Sequence, residues 1–232
     1  MRTQTWQLAL GMVLAGFASG FRNVEAQSTA AEVRLTVYVY NYADVDSDTL
    51  ASAEKMATEI FRKAGVESRW IGAGDVSQNP HEGSTEESSL ILPHIWLHIL
   101  SPAMVARLGL PSERAGLAPG TGPDRQDVDV FYSRVKELAQ RQMIAWAHRM
   151  ISRNATAGQI LGAVIAHEIG HVLLNLPSHS KTGLMRGDWE LADLYNIASG
   201  RLLFTPDQAE VIRAELVRRA GRRQTPLRGK LQ

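Results

Sequence analysis

Residues 160–174 read ILGAVIAHEIGHVLL, and the reading of this run decides the rest of the chain. Leu161, Val164, Ile165, Ile169, Val172 and Leu173 recur at helical spacing, which makes it an apolar helix. Thr156 and Gln159 form a T-x-x-Q capping pattern just ahead of it. Glu168 carries the only fixed charge in the run, and a carboxylate inside a buried helix is costly unless something pairs with it. His167 and His171 stand one turn apart on the same face, so both imidazoles can reach one point. The residues spell H-E-x-x-H, the spacing at which two imidazoles hold a zinc ion and the adjacent carboxylate takes a proton from water activated there. A bare H-E-x-x-H arises by chance in roughly one chain in a hundred of this length. The apolar flanks and the start signal narrow that. The alternative is a core helix whose histidines bond to backbone carbonyls.

HEIGHVLL, followed by Ser178-His179-Ser180 and Gly183-Leu184-Met185, resembles the metzincin clan of zinc metalloproteases. It is more closely similar to a group of secreted bacterial proteins with a HEIGH…SHS…GLM signature. The resemblance covers about residues 160–190. It implies an α+β, zincin-like fold: a small mixed twisted sheet packed on helices, the active-site helix, and an irregular, helical carboxy-terminal part. It also implies one zinc ion held by His167, His171 and His179, with Glu168 as general base and Met185 in a methionine turn beneath the imidazoles. The chain departs from the usual H-E-x-x-H-x-x-G-x-x-H. Leu174 stands at the glycine and Pro177 at the third histidine, so His179 comes two residues late. Asn175 can supply the left-handed turn in place of glycine, and Pro177 stops the helix. Glu190 is a rival third ligand, at a spacing past His171 similar to that of thermolysin-like enzymes. Its alternative is a solvated position on an amphipathic helix over 189–194.

Residues 1–26 read as a signal peptide: Arg2, an apolar core from Leu8 to Ala18, and Val24-Glu25-Ala26 before Gln27. That core is short for a bilayer span, so no stable membrane insertion is expected after signal removal. The expectation is a secreted or periplasmic protein. The chain has no Cys, so a zinc site must use His and carboxylates. Of 25 basic and 24 acidic residues, the signal holds Arg2, Arg22 and Glu25, which leaves the mature chain without net charge. Nothing in that balance favours nucleic acid. The roughly 205 remaining residues suffice for one domain, expected over 27–220, with 221–232 a basic flexible tail.

The spacing predicts a strand over Val33–Tyr40, a helix from Leu50 to Ala64 stopped by Gly65, and a second, parallel strand over Val66–Ile71. Residues 72–89 read as a polar loop and Ile95–Leu100 as a third strand, followed by a short helix begun at Ser101-Pro102. Gly116–Asp127 reads as a Gly/Pro-rich loop, Val128–Tyr132 as a fourth strand, and a helix then runs to about Ser152. Thr205-Pro206-Asp207-Gln208 starts a last helix ending near Ala220.

His94 and His98 share a strand face and read as sheet histidines beside the cleft; His148 reads as a packing or surface residue. Tyr132, Tyr195 and Arg186 are the candidates for stabilising an oxyanion. Trp189 is expected to pack below the site. The expected function is a zinc peptidase acting on peptide or protein. The alternatives are an inactive zinc-binding recognition module and an amidase for a non-protein amide.

Overall fold

The alternating run near the amino terminus forms β1 (Arg34–Tyr42) in a five-stranded sheet of order β2 (Glu67–Gly72), β1, β3 (His94–Leu100), β5 (Asp127–Phe131), β4 (Gly116–Leu117). The protein is described here from a computed structural model, in residues 33–72, 93–119, 126–148, 153–175 and 179–223. The described residues fall in one compact unit. The expected signal peptide over 1–26, the polar loop expected over 72–89 beyond Gly72, and the flexible tail expected beyond Arg223 lie outside them.

After β1 comes α1 (Ser47–Lys63), started by Asp46, whose side chain accepts from the Thr49 amide. It ends at Ala64, where Gly65 takes φ 77, a left-handed turn that favours glycine. β2 (Glu67–Gly72) and β3 (His94–Leu100) both lie parallel to β1. Ser101 caps α2 (Pro102–Arg107), as expected. The stretch read as one loop over Gly116–Asp127 instead opens with an edge strand, β4 (Gly116–Leu117), antiparallel to β5 (Asp127–Phe131). Two residues are too few for an alternating pattern to show. The expected fourth strand is therefore the fifth, and Tyr132 begins α3 (Tyr132–Ala147) rather than ending a strand. Mixed sheet and helices agree with the expected architecture, although the sheet is parallel except at β4.

α4 (Ala157–Leu174) is the centre of the molecule. Its Thr156–Gln159 capping box is complete in both directions, with bonds of 2.9 and 3.1 Å. Every residue from Ile160 to Leu174 is buried, so the apolar stripe read in the sequence is a helix enclosed all round. Among the described residues it is the one helix long and apolar enough to cross a membrane, a property it shares with any enclosed core helix. It packs with α1 against Leu35, Val37, Val39, Ile95, Leu97, Ile99, Val128 and Val130 from one sheet face. α1 and α4 approach so closely at Gly162 that a methyl there would overlap the Ala53 carbonyl. The opposite sheet face is aromatic: Tyr38 stacks on Trp96 at 4.5 Å, and Tyr40 lies 5.4 Å from His98. α5 (Leu191–Ala198) and α6 (Pro206–Arg223) complete the chain. α6 starts at the reciprocal Thr205–Gln208 pair, and its Arg213 donates to the Ala64 carbonyl at 2.8 Å. It continues past Ala220, so Gly221–Arg223 belong to the helix and not to a tail.

Candidate metal centre

His167 and His171 leave the same face of α4 with their Nε2 atoms 3.1 Å apart. The helix ends at Asn175, which adopts φ 50 and ψ 35, the left-handed turn foreseen for it. The chain then returns to His179, whose ring centroid lies 5.3 Å from that of His167 and 4.9 Å from that of His171. One nitrogen from each of the three lies within 4.8 Å of the others.

The next residues fold tightly to support this. The Ser180 amide donates to the Met185 carbonyl at 2.8 Å, and the Leu184 amide to the Leu203 carbonyl at 2.8 Å. The Leu184 carbonyl lies 2.7 Å from His167 Nδ1. A carbonyl can only accept, so the proton sits on Nδ1 and Nε2 keeps its lone pair facing His171. Met185 is buried against α4; a side chain at Gly170 would come 2.5 Å from its sulfur. Trp189 meets the His167 ring edge-on at 5.7 Å and donates to the Leu184 carbonyl at 3.3 Å.

Other candidates from the sequence fall elsewhere. Glu190 is exposed, caps α5 and bonds Arg186 at 2.5 Å; it stands on the cleft wall outside the histidine group. Arg186 also bonds Asp193 at 3.1 Å. Tyr195 lies on α5 under the Arg201 guanidinium at 5.2 Å, and Tyr132 under Lys136 at 5.4 Å. Arg186, Tyr195 and Tyr132 do not line the cleft. His94 is buried beside Tyr38 and Trp96, His98 pairs with Asp129 at 3.0 Å, and His148 is exposed at the end of α3.

The histidines open into a cleft of about 1020 Å³ walled by α4, the loop at 187–190, α3 through Arg134, Leu138 and Arg141, and Arg114 with Gly116 and Leu117. The sequence reading did not anticipate Arg114, Gly116 or Arg141. Each is an isolated residue, brought to the cleft only by long-range packing.

Burial dominates the electrostatics. It pushes Glu168 up to about 8, against the opposing charge of Arg114 and with the like charge of Asp129. It pushes His167 down to about 4, against its carbonyl partner and helped by the neighbouring imidazoles. A neutral His167 is the form that ligates a metal. In the metal-free chain the two shifts set a pH dependence of stability. Glu168 keeps its proton longer folded than unfolded, so stability falls as pH rises from 4.5 toward about 8. His167 resists protonation when folded, so stability falls as pH drops from 6.5 toward about 4. Between 4.5 and 6.5 the two slopes oppose each other, and above 6.5 only that of Glu168 remains. Thermal unfolding of chelator-treated protein is expected to show a midpoint that falls between pH 6.5 and about 8, and no such fall in Glu168→Gln. An equal fall in both proteins would contradict the assignment.

Three imidazole nitrogens, from two buried histidines and one exposed, with a buried carboxyl next in chain and open access on one side, define a candidate metal centre. Among solved structures, the chain is similar to archaemetzincin from Methanopyrus kandleri, with 13% identity and a TM-score of 0.40 over 82% of this chain and 98% of that one. No protein-family model matches the chain, and no curated protein matches its sequence. The case for a metal centre is carried by the three histidines themselves.

Proposed function

We propose that this chain is an exported zinc-dependent peptidase that cleaves peptide or protein substrates in the cleft over His167, His171 and His179. The observation that carries the reading is the convergence of these three imidazoles beside a buried Glu168. Their donor set fits zinc: nitrogen ligands, no thiolate in the chain, and an outer bond from the Leu184 carbonyl that orients His167.

When bound, zinc supplies a Lewis acid for the substrate carbonyl, lowers the pKa of water, and adds a positive charge that favours ionised Glu168. Glu168 accepts the proton of the attacking water at a carboxylate oxygen and delivers it to the leaving amine nitrogen. Enclosure by α4 and β4 keeps this carboxylate out of bulk water, which strengthens its interactions. β4 is the edge strand of the sheet and lines the cleft, so its main-chain groups are available to an extended peptide. The signal-like residues 1–26 support export, and the balanced charge of the chain from Gln27 offers no electrostatic case for nucleic acid.

The test is incubation of the zinc-loaded chain from Gln27 with denatured casein and with a cell-wall peptide, with and without chelator. Chelator-sensitive cleavage of casein is the expected result. Cleavage of the cell-wall peptide alone would move the substrate to a non-protein amide. No cleavage of either by the fully loaded chain would leave a recognition module and overturn the peptidase reading.

A further inference from the structure

We infer that Gly116 and Gly187 are positioning residues: the missing side chain at each seats one working group of the site, Glu168 at the first and His179 at the second. The inference rests on the metal-site reading above and adds two residues to it.

Neither glycine has the positive φ that would explain it by backbone conformation. What explains both is space. A Cβ on Gly116 would stand 2.6 Å from the Asp129 carbonyl oxygen, 2.6 Å from Glu168 Cγ and 2.8 Å from Glu168 Cδ. The obstacle on one side is backbone held in the sheet, with the Phe131 amide donating to the Ala115 carbonyl at 2.9 Å and Gly116 in register with Val130. The obstacle on the other is Glu168 Cγ and Cδ, neither of which moves when the carboxylate turns about the Cγ–Cδ bond. A side chain at 116 therefore moves either the edge strand, which its pairing with β5 holds, or Glu168. At Gly187 the contact is with the ring: a Cβ would stand 2.8 Å from His179 Nδ1, 2.9 Å from Cγ and 3.3 Å from Cβ. His179 is exposed, so its ring can yield by shifting, and a shift of a few tenths of an ångström exceeds what a zinc–imidazole bond tolerates.

The two alanine variants should separate. Gly187→Ala is expected to lower zinc affinity by about 10–100-fold, read by competition with a chromophoric chelator. Gly116→Ala is expected to keep wild-type zinc affinity and to lose up to about 100-fold in kcat with KM little changed, because the base and not the metal is displaced. Crystal structures of both variants read the displacements without reference to activity, so they also test the inference if the wild-type chain cleaves nothing. Glu168 in its wild-type position beside a displaced β4, or unchanged zinc affinity in Gly187→Ala with its ring unmoved, would overturn it. If Gly116→Ala folds poorly, its stability cost in a Glu168→Asp background decides the matter. The shorter side chain should shrink that cost, and an equal cost in both backgrounds would rule out pressure on Glu168.

Discussion

Replacing Glu168 by Gln is expected to lower kcat by about 10²–10⁴-fold while zinc stays bound. The amide has nearly the volume of the carboxyl, so the packing against β4 and α4 is kept, and it contributes no ligand to the three-histidine group. What it lacks is basicity: it cannot take the proton from water or return one to the leaving amine. The electrostatics give the same substitution a second, independent signature. Burial drives the Glu168 pKa upward, so an amide there removes a group whose ionisation costs the metal-free fold stability. The variant should therefore be dead in turnover, normal in zinc content and relatively more stable than wild type toward pH 8 without metal. Steady-state kinetics with metal analysis checks the first two. Turnover within tenfold of wild type would remove Glu168 from the chemistry.

Met185→Ala is expected to cost about 2–5 kcal/mol of stability, and Met185→Leu under about 1.5 kcal/mol. Met185 is about 1% exposed and its sulfur lies directly against Gly170, one residue before His171. Truncation leaves a cavity between α4 and the loop that presents the Leu184 carbonyl to His167. Leucine keeps most of the volume without the sulfur, so the pair separates packing from any special role of the thioether. Denaturant unfolding of the metal-free chains measures both. Equal costs for the two substitutions would show that the site depends on the sulfur and not on filled space.

The sequence made the α4 helix legible because three signals agree there: the capping box, the apolar stripe and the Asn175 stop. The strands with β-branched or aromatic alternation were legible for the same reason, to within one or two residues. β4 was not, since its two residues carry no pattern and it exists only because β5 pairs with it. His167 and His171 are fixed relative to each other by one helical turn, a purely local fact. His179 stands beyond the Asn175 turn and outside the helix, so its place could be read only through resemblance. Glu190 was a fair rival by spacing, and it is the tertiary fold that gives its carboxylate to Arg186 and the start of α5. The same limit hid Arg114 and Gly116, which long-range packing brings to the cleft at the edge of the sheet. The oxyanion donor was no more legible: Tyr195 was chosen by its place in the chain, and it is not among the residues that line the cleft.

Metal analysis of the chain from Gln27, beside His179→Ala and Glu190→Ala, decides whether His167, His171 and His179 hold one zinc ion. One zinc per chain in the wild type and in Glu190→Ala, with loss in His179→Ala, is the predicted result. Zinc retained by His179→Ala and lost from Glu190→Ala would contradict the site as described, and a wild-type chain that binds none would return α4 to an ordinary core helix.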